Sequence, residues 1–453
     1  MNRLKHQNSQ YGPILRLALP VVLSQLGQVI VQFADNAMVG QLGVLPLAAV
    51  SFGSSVFFIL FIFGIGITIG ITPLVGAHYA RNERLEMSGY LKNAILFYLL
   101  SGIAITAIQL AFIPAMYHLG QPVEVVDMAL PYYRYVAWSM IPLMLYGAFK
   151  QFLEGIGNTT TAMIVVIACN LLNIFLNWIF IYGHWGAPAM GAAGAGFATF
   201  ISRMVMPVSM IVYFFTNRRV RPYMALLRRV SFNFPRVLQL FRVGVPIAFQ
   251  MTLEGLAFVL TSIMMGWIGT TEIAANQITI TLSNAAFMII LGIGSATTIL
   301  ISHAYGARNW RLLRQTARSA YHIGLIWNLC SATVFISARY VLAKIFTDDP
   351  AVLQITSSLL IIAAVFQIFD GLQCVSMGIL RGIKDVSITM GIAFLSYIVI
   401  NLPVGYLFAF VFGLGADGLW CGYIFGLSIA ALLLNMRYRR LIRRLSSQPE
   451  PAK

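Results

Sequence analysis

Between Arg16 and Arg81 the chain carries a single formal charge, the carboxylate of Asp35 in "VQFADNAMVG". A stretch that long with so little charge cannot cover a surface facing water. The composition extends the point to the whole chain: of 453 residues only 10% are charged and 59% are hydrophobic, where a soluble globular chain carries about 25% charge. Lipid is therefore the expected solvent. A backbone in lipid must satisfy its own hydrogen bonds, which leaves helices or closed barrels. The uninterrupted apolar runs, many longer than 20 residues, select helices. The first of them is long and lacks an A-x-A-like site before a soluble segment, so no cleavable signal is expected. The four cysteines (169, 330, 374 and 421) are scattered in apolar runs, which reads as packing rather than disulfides or a metal cluster.

About twelve spans are legible, near residues 13–36, 47–77, 92–115, 129–149, 160–182, 191–215, 243–267, 276–302, 319–341, 352–379, 388–412 and 415–436. An even number puts both termini on one side, and that side then holds 26 of the 30 Lys and Arg residues. The positive-inside rule makes it the cytoplasm. The net charge of +16 is thereby read as a topology signal, with a secondary role in contacts to anionic membrane lipids, and no nucleic-acid partner is expected.

The two halves repeat. "LPVVLSQLGQVIVQFADNAMVGQLG" at 19–43 aligns with "VPIAFQMTLEGLAFVLTSIMMGWIG" at 245–269, so that Pro20 meets Pro246, Gly40 meets Gly266 and Gly43 meets Gly269. "YARN" and "YGARN", "FLEGIGN" and "ILRGIKD", "GAAG" and "GADG" continue the match. Six spans between copies keep the orientation, which gives parallel repeats related by an axis along the membrane normal, a common transporter design. The expected fold is an all-α polytopic membrane protein, twelve transmembrane helices in two pseudo-symmetric six-helix bundles. The expected domains are 1–215, a basic cytoplasmic segment 216–242, and 243–453.

Three acids fall inside spans: Asp35, Glu254 and Asp370. Ionisable groups at membrane depth are costly and point to function. Counting helix rise from Arg242 and Arg381 as markers of the cytoplasmic edge, Glu254 and Asp370 lie roughly 16–18 Å in, and Asp35 lies toward the outer half. Asn170, Asn173 and Asn177 recur at i, i+3 and i+7, so three amides share one helix face. A carboxylate from the first helix suits them, and Thr199 on the sixth span joins them. These are hard oxygen ligands, fit for a small cation or a proton relay, with Asp35, Glu254 and Asp370 the candidate cation ligands. In the second half Gln367, Asp370 and Gln373 share a face, with Glu254 able to meet it across a cavity. Gln277 and Asn284 also share a helix face, and with Gln367, Phe366 and Met251 they are candidates for a substrate cavity. Arg203 is the one basic residue placed inside a span. No H-E-x-x-H, no P-loop and no G-x-S-x-G with an intramembrane His is present, so neither catalysis nor ATP as the energy source is expected.

The motifs "FADNAMVG" (33–40), "NLLNIFLNWIFIYG" (170–183), the Glu eight residues after the Pro of "VGVPIAFQMTLEG" (243–255), and "FQIFDGLQ" followed by "GILRGIKD" (366–385) resemble the multidrug and toxic compound extrusion family in its NorM-like bacterial branch. The resemblance covers nearly the whole chain. It implies twelve helices in two lobes and export of cationic, lipophilic drugs in exchange for entering Na+ or H+. It matches Asp35 to the first-helix acid of the N-lobe, Asn173 and Asn177 to the polar pair beneath it, Thr199 to an N-lobe hydroxyl, and Glu254 and Asp370 to the C-lobe acids of cation coupling. Some members carry a Tyr four residues before the C-lobe Asp that contributes to their cation site. Here that position is Phe366, which has no oxygen, and this leaves the coupling ion open.

The expectation is a secondary antiporter of the bacterial inner membrane, multi-pass with both termini cytoplasmic, monomeric, with small-molecule drugs and membrane lipids as partners and no cofactor besides the coupling ion, Na+ or H+. The alternative is a lipid-linked oligosaccharide flippase of a related fold. That would favour a cationic cavity, against which the single intraspan Arg203 argues. An intramembrane enzyme such as a prenyltransferase would need acid pairs of the D-D-x-x-D kind that the sequence lacks, and a channel would not show saturable, counter-ion-driven flux.

Overall fold

The computed structural model describes residues 10–446, and within them the chain is helical. Long helices run over Tyr11–Gly40 (α1), Val44–Ile69 (α2), which continues through Gly70 into Ile71–Tyr79 (α3), and Arg84–Ala111 (α4). Val123–Trp138 (α5), Met140–Gly155 (α6), Thr159–Tyr182 (α7) and Ala192–Thr216 (α8) complete the first half. A short helix, Arg221–Leu227 (α9), precedes Phe234–Ile268 (α10), Thr270–Gly306 (α11), Trp310–Ser337 (α12), Pro350–Gly382 (α13), Val386–Ala393 (α14) and Gly415–Ser446 (α15).

Eleven helical stretches among the described residues are long and apolar enough to cross a membrane. The remaining expected span, the fourth at 129–149, is broken at Ser139 into α5 and α6, of 16 residues each. Pro142 gives the reason: it has no N–H to donate to the carbonyl of Trp138, so the helical ladder fails there. The eleventh span is irregular in another way. After α14 the chain widens into a π-helix over Phe394–Asn401 and again over Leu407–Val411, on either side of Pro403. Helix α15 lays a glycine face on this span. A Cβ at Gly418 would stand 2.5 Å from Ala409 N, one at Gly422 2.5 Å from Asn401 O, and one at Gly426 2.7 Å from Ser396 O. Small residues every fourth position let two membrane helices touch backbone to backbone.

The chain divides into two compact units, one of Leu23–Ala248 and one of the residues up to Val22 together with Phe249 onward. The divisions fall inside α1 and α10, away from the basic segment at 216–242. In the first unit, a Cβ at Gly66 would meet Ala248 N at 2.9 Å and one at Gly70 would meet Gly244 Cα at 2.7 Å. In the second, a Cβ at Gly292 would meet Ala18 O at 3.1 Å and also Val22. Gly66 and Gly292, Val22 and Ala248, and Ala18 and Gly244 are repeat equivalents in the alignment that pairs Pro20 with Pro246. Each unit thus takes in the first half of the opening helix of the other repeat, by the same glycine contact.

The basic segment is held within the first unit. Lys92 on α4 donates to the carbonyls of Leu227 (3.2 Å) and Val230 (2.7 Å), Asn233 N donates to Asn93 Oδ1, and Arg236 makes a two-pronged pair with Glu86 at 3.0 and 2.9 Å.

Candidate functional site

In the first unit, helices α1, α7 and α8 bring four expected residues into one cluster. Asn177 Nδ2 donates to Asp35 Oδ1 at 2.5 Å. Asn173 sits one helical turn before Asn177, and with its amide nitrogen turned to the carboxylate it donates to Asp35 Oδ1 at 3.0 Å while its oxygen accepts from Thr199 N at 3.3 Å. In the opposite orientation the amide donates instead to Thr199 Oγ1 at 3.4 Å and accepts from Asn177 at 3.3 Å. An ionised carboxylate favours the first arrangement, because charge-assisted hydrogen bonds are the stronger ones. Asn177 is fully buried and its Oδ1 has no donor. A buried oxygen without a partner costs free energy, and beside a carboxylate it is a ready ligand for a small cation. Asn170, which shares the face, packs its amide over Gly27 of α1, where a Cβ would approach Nδ2 to 3.2 Å.

Arg203 is placed by the break in the fourth span. Its Nη1 donates to Ser139 Oγ at 2.7 Å, and its guanidinium lies 5.4 Å and 5.3 Å from the ring centres of Phe57 and Phe61. Tyr132 bonds Ser54 at 2.8 Å beside it, and the charges of Asp35 and Arg203 act on each other and on Tyr132. No Asp35–Arg203 ion pair within 4.0 Å occurs among the described residues, and the amide contacts of the carboxylate fall on Oδ1.

In the second unit, Asp370 on α13 is 9% exposed and its dominant charged neighbour is Glu254 on α10. Tyr397, whose hydroxyl accepts from Gln373 Nε2 at 2.6 Å, acts on the charge of Glu254. Gln373 Oε1 is buried without a donor, as Asn177 Oδ1 is in the first unit. Asn328 of α12 lies directly on Gly371, the residue after Asp370, and Ser331 donates to Gln367 Oε1 at 2.7 Å. No group of three or more His, Cys, Asp or Glu positioned around a metal ion occurs among the described residues. A multivalent metal centre is not what these clusters resemble; carboxylates with amide and hydroxyl oxygens suit a monovalent cation or a proton.

One expectation is corrected by the geometry, and the cavity candidates are placed by it. Arg381, counted above as a cytoplasmic edge marker, is in the last turn of α13, half-buried, and donates through Nη2 to Gln250 Oε1 at 3.1 Å. Arg203 is therefore not the one basic side chain directed into the spans. Phe366 is 2% exposed, edge-on to Trp420 at 5.4 Å and 6.0 Å from Tyr423. Gln277 and Asn284 are exposed on one face of α11, and Met251 is half-buried; none is brought to the acid clusters by a hydrogen bond. Sequence reasoning missed Tyr397, Gln250, Ser139 and Tyr132. Gln250 was findable, four residues before Glu254 on the same face, and Ser139 through its proline three residues on.

Two segments, residues 20–179 and 246–407, match the MatE family, one in each repeat. The chain is 31% identical to the probable multidrug resistance protein NorM of Idiomarina loihiensis over 452 residues, covering 98% of this chain and 97% of that one. It is 31% identical to the multidrug resistance protein NorM of Photobacterium profundum, with 94% of each covered. A solved outward-facing multidrug resistance MATE family transporter of the MOP superfamily superposes with a TM-score of 0.88 at 22% identity, over 97% of both chains. Matched in both repeats and along nearly its full length, the chain belongs to the MatE family.

Proposed function

We propose that the chain is a secondary active multidrug efflux antiporter that exports organic, mostly cationic lipophilic compounds in exchange for Na+ or H+. The observation that carries this is the presence, in each unit, of a carboxylate in a span beside a buried acceptor oxygen without a donor: Asp35 with Asn177, and Glu254 and Asp370 with Gln373. A carboxylate in low dielectric is stable when neutralised by a proton, Na+ or a bound drug cation. Where ion and drug cannot both neutralise it, loading one releases the other, and alternating access turns that competition into exchange. Asp35, Glu254 and Asp370 are the coupling acids in this reading, and Asn173, Asn177 and Thr199 hold Asp35. The distribution of Lys and Arg supports a cytoplasmic membrane location with both termini inside, and nothing in the proposed cycle requires more than one copy of the chain or any catalysis.

The test is efflux of ethidium from inverted vesicles, with a pH gradient and a Na+ gradient imposed separately. Asp35→Asn and Asp370→Asn are expected to abolish gradient-driven efflux at normal expression; wild-type rates in both variants would refute the assignment of these acids. Flux driven by Na+ would identify a site that works without a hydroxyl at Phe366, and flux driven by the pH gradient alone would identify the acids as proton carriers. If neither gradient moves the dye, the flippase reading takes precedence, and the guanidinium of Arg381 inside α13 is the feature on which to rebuild it.

A further inference from the structure

The antiporter reading treats the second unit as an acid pair, yet the structure gives that pair a third charge. Arg381 ends α13, the helix that carries Asp370. Side chains on a helix lean toward its N-terminus, which inclines Arg381 back along α13 and away from the helix end. Its Nη2 donates at 3.1 Å to Oε1 of Gln250, which lies on α10 one turn before Glu254 and on the same face. The Gln250 nitrogen is engaged by Met377 Sδ, which turns the amide oxygen to the guanidinium. Arg381 Nε is buried without an acceptor. Glu254 and Arg381 act on each other's charge, but no ion pair between them within 4.0 Å occurs among the described residues. The guanidinium is thus anchored near Glu254 by a neutral amide, close enough to act on its charge and too far to occupy its carboxylate oxygens.

We propose that Arg381 is a tethered counter-cation that fixes the demand of this unit at one monovalent charge. Glu254 and Asp370 bring two negative charges and Arg381 one positive, which leaves a single negative charge for Na+, H+ or drug to neutralise. The second unit is thus a site where an entering ion and a leaving organic cation compete one for one. Arg381 touches neither ion nor drug in this account; it is a positioning residue that acts through the field at Glu254. The inference rests on the antiporter reading above.

The experiment counts the ions bound at saturation by the purified, dye-free protein, Na+ by equilibrium dialysis with radiosodium at fixed pH and H+ by potentiometric difference titration against a Glu254→Gln, Asp370→Asn reference, in an Asp35→Asn background that isolates the second unit. The expected count for the effective ion is one. Removing the tethered charge with Arg381→Gln should raise it to two, Arg381→Lys should leave it at one, and Arg381→Gln with Glu254→Gln should return it to one. Should the Arg381→Gln protein not fold, Glu254→Gln with Arg381 intact decides the matter, because one acid balanced by one guanidinium should give a count of zero. A count that stays at one in Arg381→Gln, or in Glu254→Gln alone, overturns the proposal while leaving the antiporter reading standing. A count of zero for both ions in the parent overturns the antiporter reading, and this proposal with it.

Discussion

Replacing Gly194 by alanine tests whether the first-unit cluster is held by the closeness of two helices. Gly194 is in the first turn of α8, and its missing side chain lets α8 lie against the end of α7. A Cβ there would stand 2.5 Å from Phe180 O, 2.6 Å from Phe180 C and 2.9 Å from Ile181 N. All three are backbone atoms, and Phe180 O is already fixed by accepting from Met190 N at 2.8 Å, so no side chain can swing aside. Restoring ordinary contact requires the helices to part by about 0.9 Å. The same pair of helices carries Asn173 and Thr199, five residues beyond Gly194. A bond of 3.3 Å between them would stretch past about 4 Å and fail. Overpacking against backbone costs toward the upper end of about 1–3 kcal/mol, and alanine in place of glycine in a helix returns about 1 kcal/mol, for a net loss of about 2 kcal/mol. Gly391→Ala is the control, since nothing lies within 4 Å of a Cβ there and only the propensity gain of about 1 kcal/mol should remain. Thermal unfolding in detergent reads the stability, and ethidium efflux from inverted vesicles reads the site. Gly194→Ala is expected to melt below wild type and to lose efflux, Gly391→Ala to do neither. A Gly194→Ala protein that melts at or above wild type and pumps normally would refute the argument that this contact sets the geometry of the cluster.

Other expectations follow from single contacts. Lys92→Met removes both hydrogen bonds to the carbonyls of Leu227 and Val230. Hydrogen bonds to a charged group are worth about 1.5–3 kcal/mol, so trypsin should cut among the arginines of 218–229 at least about tenfold faster while efflux persists; unchanged cleavage would show that Glu86 and Arg236 suffice. Gln373→Leu strips the Tyr397 hydroxyl of its buried donor and should lower stability by about 1–3 kcal/mol, with a melt indistinguishable from wild type as the contrary result. Ser139→Ala frees the guanidinium of Arg203 from its 2.7 Å acceptor; selectivity among dyes should change more than expression, and an unaltered dye profile would count against a role for Arg203 in the cavity.

Much of this was legible in the sequence, for reasons that are physical. Lipid forbids unsatisfied backbone and charge, so spans and their polar exceptions stand out, and Asp35, Glu254 and Asp370 were visible for that reason. The cluster around Asp35 was legible because Asn173 and Asn177 obey the period of an α-helix. Where the helix departs from that period, the sequence misled. Tyr397 sits in a π-helical stretch, whose wider turn puts it beside Glu254 on a face that 3.6-residue counting does not select. Arg381 was read as a marker of the cytoplasmic edge because counting lysines and arginines ignores the lean of a helical side chain back toward the N-terminus; here the guanidinium meets Gln250. The division of α1 and α10 between the units was also hidden. The repeat shows that Val22 and Ala248 are equivalent, but only the contacts of Gly66 and Gly292 show which unit each helix start joins.

The central claim is that ion and drug neutralise the same carboxylates by turns. Its most direct test is equilibrium binding of ethidium to the purified protein across a range of Na+ concentrations and pH, comparing wild type with the Asp35→Asn, Asp370→Asn double variant. The account predicts that one of the two ions raises the wild-type Kd in direct competition, without changing the number of dye sites, and that the double variant is indifferent to both. Dye binding that neither ion displaces in the wild type, or competition that persists unchanged in the double variant, would contradict it.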